Sequence, residues 1–232
     1  TSGSSGITLV PGEKTVEGRL AMARHGDSPA GAGQAGGLAL GALHDLARRR
    51  SGVDHPGLYP NDDNPWTDQL ARRLRDLVAE ELARAPDRDR RHVLAARWRA
   101  AALLEDGPVA AARNPVYDIA WRVYSADCAR LEDQPLIVEC PWRGGWRACA
   151  PACDRLAQAR AGLRVLCAQA DPDAPVGEMG LKEACAFRIA AFAPAGEPVL
   201  LAFYGGAQSW RGEAGFSIYA YTTGRRGVSP AP

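Results

Sequence analysis

The sequence predicts an α/β protein, a mixed β-sheet of about five or six strands with helices on both faces, preceded by an irregular N-terminal extension. Three observations carry this expectation. From Pro115 to Gln169 the apolar pattern reads strand, strand, helix, strand. Two later apolar runs, Pro198 to Tyr204 and Phe216 to Thr222, add further strands. Ahead of them a helix starts sharply at Asn64. On this reading residues 1–63 form a Gly/Pro-rich extension, residues 64–224 the α/β domain and residues 225–232 a disordered tail.

The elements follow in order. Within the extension, a short helix is expected from Gly37 to Arg50, and the punctuation of HPGLYPNDDNP marks a boundary. Asn64 then suits an N-cap and Pro65 the first helical position. Trp66, Leu70, Leu74, Leu77, Val78 and Leu82 recur on one helical face, with Glu81 near its middle. A glutamate there must be paired, bound to something, or close enough to the end of the core to reach solvent. A second, Ala/Arg-rich helix is expected from about Asp89 to Leu104, ended by Gly107-Pro108. Tyr117 to Tyr124 alternates as a strand, Ser125 to Gln134 is a polar connector, and Leu136 to Cys140 is an apolar central strand. If these two strands pair antiparallel about the connector, Asp118 and Glu139 lie opposite or diagonal to each other. After the turn PWRGGW come a helix from Ala150 to Gly162 with Pro151 at its start, a strand LRVLCAQ (163–169), a Pro/Gly/Asp loop and a helix from Lys182 to Phe192.

Composition bounds the function. The 232 residues carry 28 basic and 27 acidic side chains, a formal net charge of +1, so nucleic-acid binding would need a local patch. No apolar run reaches the roughly 18 residues of a membrane span, and TSGSSGITLVPGEK lacks the apolar core of a signal peptide. The six cysteines lie between Cys128 and Cys185 with no Cys-x-x-Cys pair, and the histidines end at His92. Buried free thiols and a reducing, cytoplasmic setting are expected, rather than a zinc site.

Two carboxylates interrupt apolar strands: Asp118 in PVYDIAWRVY and Glu139 in QPLIVECPW. Burying an uncompensated carboxylate is costly, so each needs a partner or a cation. The order helix with Glu81, strand with Asp118, strand with Glu139, helix, strand resembles the PD-(D/E)xK, or restriction-endonuclease-like, nuclease superfamily over residues 66–170. The resemblance implies a mixed sheet flanked by helices and Mg²⁺- or Mn²⁺-dependent phosphodiester hydrolysis. Asp118 and Glu139 would then hold the metal with help from Glu81, and Arg155 or Gln158 on the following helix, where Asp154 also lies, would contact water or phosphate. The sequence departs from the motif at its lysine, since Glu139-Cys140-Pro141 puts a proline there. Arginine could supply charge at that site but not a base near neutral pH. A degenerate member that binds nucleic acid or protein without cutting is therefore an equal expectation.

The residues also admit a purely structural reading, in which Asp118 pairs with Arg122 or Arg164 and Glu139 closes a buried ion pair. The contrasting functional class is a non-catalytic subunit of a bacterial assembly, with a protein partner or a second copy. Arg24-His25-Gly26-Asp27 resembles a histidine-phosphatase motif but lacks a late second histidine. There is no G-x-x-x-x-G-K-[ST], and Ser209 has no downstream histidine for a triad. The arginines of the first half, among them Arg48 to Arg50, Arg72, Arg73 and Arg75, are either a solvated helical face or a phosphate-contacting surface. Trp142, Trp146 and Trp210 are either core or subunit-contact residues, or base-stacking ones.

Overall fold

The computed structural model describes residues 30–50, 64–85, 87, 89–96, 99–103, 116–143, 145–170, 177–205, 216–224 and 229–230. The histidine-phosphatase-like motif, Gly107-Pro108, Ser209 and Trp210 lie outside them. In chain order the elements are α1 (Ala30–Arg50), α2 (Pro65–Arg84), β1 (Arg90–Ala96), β2 (Arg99–Leu103), β3 (Ile119–Ser125), β4 (Leu131–Glu139), α3 (Trp146–Gln158), β5 (Leu163–Gln169), α4 (Gly177–Phe192), β6 (Pro198–Tyr204), β7 (Phe216–Thr222) and β8 (Ser229–Pro230).

The strands form one mixed sheet in the order β2-β1-β3-β4-β5-β6-β7-β8. The centre, β4-β5-β6, is parallel, and the flanking pairs are antiparallel. Strand alternation divides the core in two. Ile119, Trp121, Leu136, Val138, Val165 and Leu200 meet α1 and α2 on one face. Ala120, Ile137, Leu166, Ala168, Leu201 and Phe203 meet α3 and α4 on the other. An α/β sheet flanked by helices, as expected from the sequence, is therefore present.

Local chemistry accounts for several boundaries. The Asn64 side chain accepts a hydrogen bond from the Trp66 N–H at 3.0 Å, with Pro65 at the first helical position, as the sequence predicts. Strands β5, β6 and β7 match their expected spans. The β3–β4 turn is closed by Ser125, whose N–H donates to the Arg130 carbonyl at 2.9 Å, and Cys128 takes a left-handed φ of 59° within it.

Four expectations need correction. Arg90–Ala96 and Arg99–Leu103 pair as the antiparallel strands β1 and β2, in place of the expected helix. His92 to Ala95 are buried in succession, and β1 is clamped between β2 and β3, so sheet pairing overrides the helix propensity of Ala and Arg. Residues 1–63 contribute α1, longer than the expected helix, to the main core through Ala35, Ala39, Leu43 and Leu46. Helix α3 starts at Trp146, and Pro151 lies inside it. Among the described residues the sheet has eight strands, because β1 and β2 add two and Ser229–Pro230 pairs with β7.

Candidate functional site

Sheet register brings Asp118 and Glu139 together. Ile119 pairs with Val138, so the antiparallel ladder sets Asp118, just before β3, across from Glu139, the last residue of β4. Alternation puts both on the α3/α4 face, since Ala120 and Ile137 belong to that layer. The juxtaposition expected from the midpoint of the connector is present, even though irregularities interrupt the ladder between Trp121 and Tyr124.

Each carboxylate has a protein partner. Glu139 is fully buried, and its two oxygens accept the Arg155 guanidinium: Nε donates to Oε1 at 2.8 Å and Nη2 to Oε2 at 2.6 Å. This is the fork-to-fork geometry that makes arginine–carboxylate pairs strong. Arg155 lies in the last turn of α3, and its side chain reaches the end of β4. The hydrogen bonds to Glu139 raise the guanidinium's already high pKa. Asp118 is 9 % exposed, and its Oδ2 accepts the Cys140 N–H at 2.7 Å, tying the entry of β3 to the exit of β4. The buried ion pair anticipated for Glu139 thus exists. Arg164, one of the candidate partners of Asp118, is turned elsewhere. It is fully buried and donates to the Leu156 carbonyl at 2.9 Å and to Glu197 at 2.7 Å, holding the C-terminal end of α3.

The remaining candidates are not drawn into this pair. Glu81 accepts a hydrogen bond from Arg84 at 3.1 Å on the partly exposed side of α2. That helix packs on the opposite face of the sheet. Its N-terminal end is fixed near the end of β4, because Trp142 Nε1 donates to Thr67 Oγ1 at 2.7 Å. Glu81 lies roughly four turns farther on, about 22 Å along the axis from Trp66. The expected convergence of three carboxylates is therefore corrected. Asp154 accepts both Arg188 nitrogens, at 2.6 and 2.7 Å, and faces α4. Those hydrogen bonds hold its carboxyl below the usual carboxylate range. Gln158 is exposed.

Among the described residues no lysine enters the site. Lys182 is buried on α4, with its Nζ 3.3 Å from Met179 Sδ and 4.3 Å from the Tyr219 ring centroid. Burial lowers its pKa, and Glu178 and Glu183 are the charges that act on it. Tyr117, next to Asp118 in the chain, was not singled out from the sequence, and it feels the charge of Glu139. Its hydroxyl pKa is raised by burial and then by the Glu139 charge. Its place beside Asp118 in the strand was the only signal for it.

Among the described residues, no group of three or more His, Cys, Asp or Glu side chains is arranged to hold a metal ion. The donor set does not fit a divalent cation as it stands, because the guanidinium occupies both Glu139 oxygens and Glu81 is remote. Trp142 is fully buried against Trp66, with ring centroids 5.7 Å apart, whereas Trp146 is exposed and lies near Arg188. No helix among the described residues is long and apolar enough to cross a membrane. No family model, curated protein or solved structure matches the chain.

Proposed function

We propose that this chain is a degenerate PD-(D/E)xK-like module that binds nucleic acid without hydrolysing it. The observation that carries this reading is the bidentate clasp of Arg155 on the fully buried Glu139. The acidic pair lies on adjacent strands, as the resemblance implies, but a fixed guanidinium supplies the compensating positive charge. A divalent ion would have to displace that guanidinium, and the lysine position of the motif holds Pro141. A reducing, cytoplasmic compartment suits a chain whose cysteines at 140, 149, 153, 167 and 185 are buried free thiols.

The test is incubation of the purified chain with plasmid, single-stranded DNA and RNA in Mg²⁺ or Mn²⁺, beside Asp118→Ala and Glu139→Ala. No cleavage is expected, Mn²⁺ should leave the melting temperature unchanged, and both variants should be less stable than the parent. Cleavage that disappears in both variants would instead establish a working Mg²⁺ or Mn²⁺ site.

A second reading, a non-catalytic subunit that docks on a protein, is favoured by Phe187 and Phe192, which stand 72 % and 69 % exposed on α4. It gains if no nucleic acid binds and the chain self-associates.

A further inference from the structure

An open groove of about 580 Å³ runs between α1 and α2, on the sheet face opposite the Asp118–Glu139 pair. Its walls include Arg49, Arg72, Arg73 and Arg75, with Asp45 and Asp76. Both acids are already neutralised there. Arg73 Nε donates to Asp45 Oδ2 at 2.5 Å, and Arg75 donates through Nε and Nη2 to Asp76 Oδ1 at 3.1 and 2.9 Å. Arg49 and Arg72 are exposed and have no ion-pair partner among the described residues. The groove therefore holds two uncompensated guanidinium groups beside two internally balanced pairs.

From this arrangement we infer that the α1/α2 groove is an anion-binding surface for the sugar–phosphate backbone of a nucleic-acid duplex, engaged through Arg49 and Arg72. The inference rests on the nucleic-acid reading above and adds where binding occurs and what form the ligand takes. Three features select this ligand. Guanidinium groups pair with phosphate through two parallel hydrogen bonds. The wall offers no exposed apolar or aromatic anchor, since Leu46 is 2 % exposed, so a folded protein partner would find no hot spot. The same lack of aromatic rings removes the stacking platform that single strands require, leaving sequence-independent binding of the backbone. The groove also lies across the sheet from Glu139, so a strand held there would not reach the carboxylate pair.

Fluorescence anisotropy on the full chain tests the inference, using labelled DNA and RNA duplexes of one arbitrary sequence, the matching single strands and poly-glutamate at equal charge. Titrations from 25 to 200 mM NaCl compare the parent, the Arg49→Ala/Arg72→Ala double variant and Arg130→Ala, whose arginine lies on the exposed β3–β4 turn; thermal melts confirm folding. Duplex affinity should fall steeply with salt. The double variant should bind about tenfold or more weakly at low salt, with a salt slope smaller by about 2, roughly one for each phosphate that no longer meets a guanidinium. Arg130→Ala should match the parent. Duplex binding unchanged in the folded double variant overturns the groove and leaves the nucleic-acid reading standing. Equal binding of poly-glutamate, or tighter binding of single strands, overturns the assignment to a duplex. Failure of the parent to bind any nucleic acid at 25 mM salt overturns both readings.

Discussion

Glu139 has no exposed surface, and a charge so placed must be compensated within hydrogen-bond reach. Arg155 provides positive charge within that reach, and removing it takes the guanidinium from a fully buried carboxylate. Arg155→Ala is expected to destabilise the chain by about 3–5 kcal/mol. Replacing both partners with apolar residues of similar size should cost less than Arg155→Ala alone, because no charge is left behind. A double-mutant cycle by urea denaturation checks this, and purely additive losses would show that the pair is not coupled. A second residue-scale expectation concerns Tyr219. Burial, followed by the hydrogen bond it donates to Glu178 at 2.9 Å, pushes its hydroxyl up to about 12 from 10.0. Between those values the folded chain keeps a proton that the unfolded chain has lost, so stability falls as pH rises. Tyr117 and Tyr221 shift in the same direction. Denaturation at successive pH values above 10 should show a shallower decline in Tyr219→Phe than in the parent.

Among the elements, β5 depends on a close approach. The Gly162 N–H donates to the Gln134 carbonyl at 2.9 Å, and a Cβ at this position would lie 3.0 Å from the Pro135 carbonyl oxygen. Neither strand can yield freely, because β4 is paired on both sides. Gly162→Ala is expected to cost about 1–3 kcal/mol, the usual range for overpacking, and a thermal melt measures it. Helix α2 offers a complementary case. Asn64→Ala removes the cap on the Trp66 N–H and should cost about 1 kcal/mol, whereas Asn64→Gly should cost only a few tenths. The β1–β2 pair shows why element type is harder to read than element position. The run His-Val-Leu-Ala-Ala has neither a 3.6-residue nor a two-residue period, because β1 is buried in succession on both faces.

Over the whole molecule, the sheet separates two chemistries. The α3/α4 side holds the carboxylate pair closed by arginine, and the α1/α2 side holds a groove with surplus arginine charge. A chain with a formal net charge of +1 has no global attraction for a polyanion, so binding must be local and salt-sensitive. Raising NaCl from 25 to 200 mM should therefore abolish most duplex binding while leaving the melting temperature almost unchanged, since Glu139 is fully buried and its partner Arg155 only half-buried, a pair that salt screens less than exposed charges. A parallel fall in both would mean that the binding charges also hold the fold together.

Elements whose signals are local were legible in the order of residues alone. The α2 cap follows from Asn64 and Pro65, and the spans of β5, β6 and β7 follow from short, mostly apolar runs bounded by turn residues. The meeting of Asp118 and Glu139 was legible too, because an antiparallel hairpin has its register set by the midpoint of its connector. What depends on packing between distant segments was decided only in three dimensions. Arg155 could be placed on the helix after β4, but its choice of Glu139, and the choice of Arg188 by Asp154, required the packing of α3 against the sheet and α4. Glu81 showed helical periodicity but no sign of which sheet face its helix would cover. The groove between α1 and α2 joins residues far apart in sequence, and its surplus charge appears only once Arg73 and Arg75 have taken Asp45 and Asp76. Side-chain pairing is short-ranged, so it follows the tertiary neighbours that chain order alone does not specify.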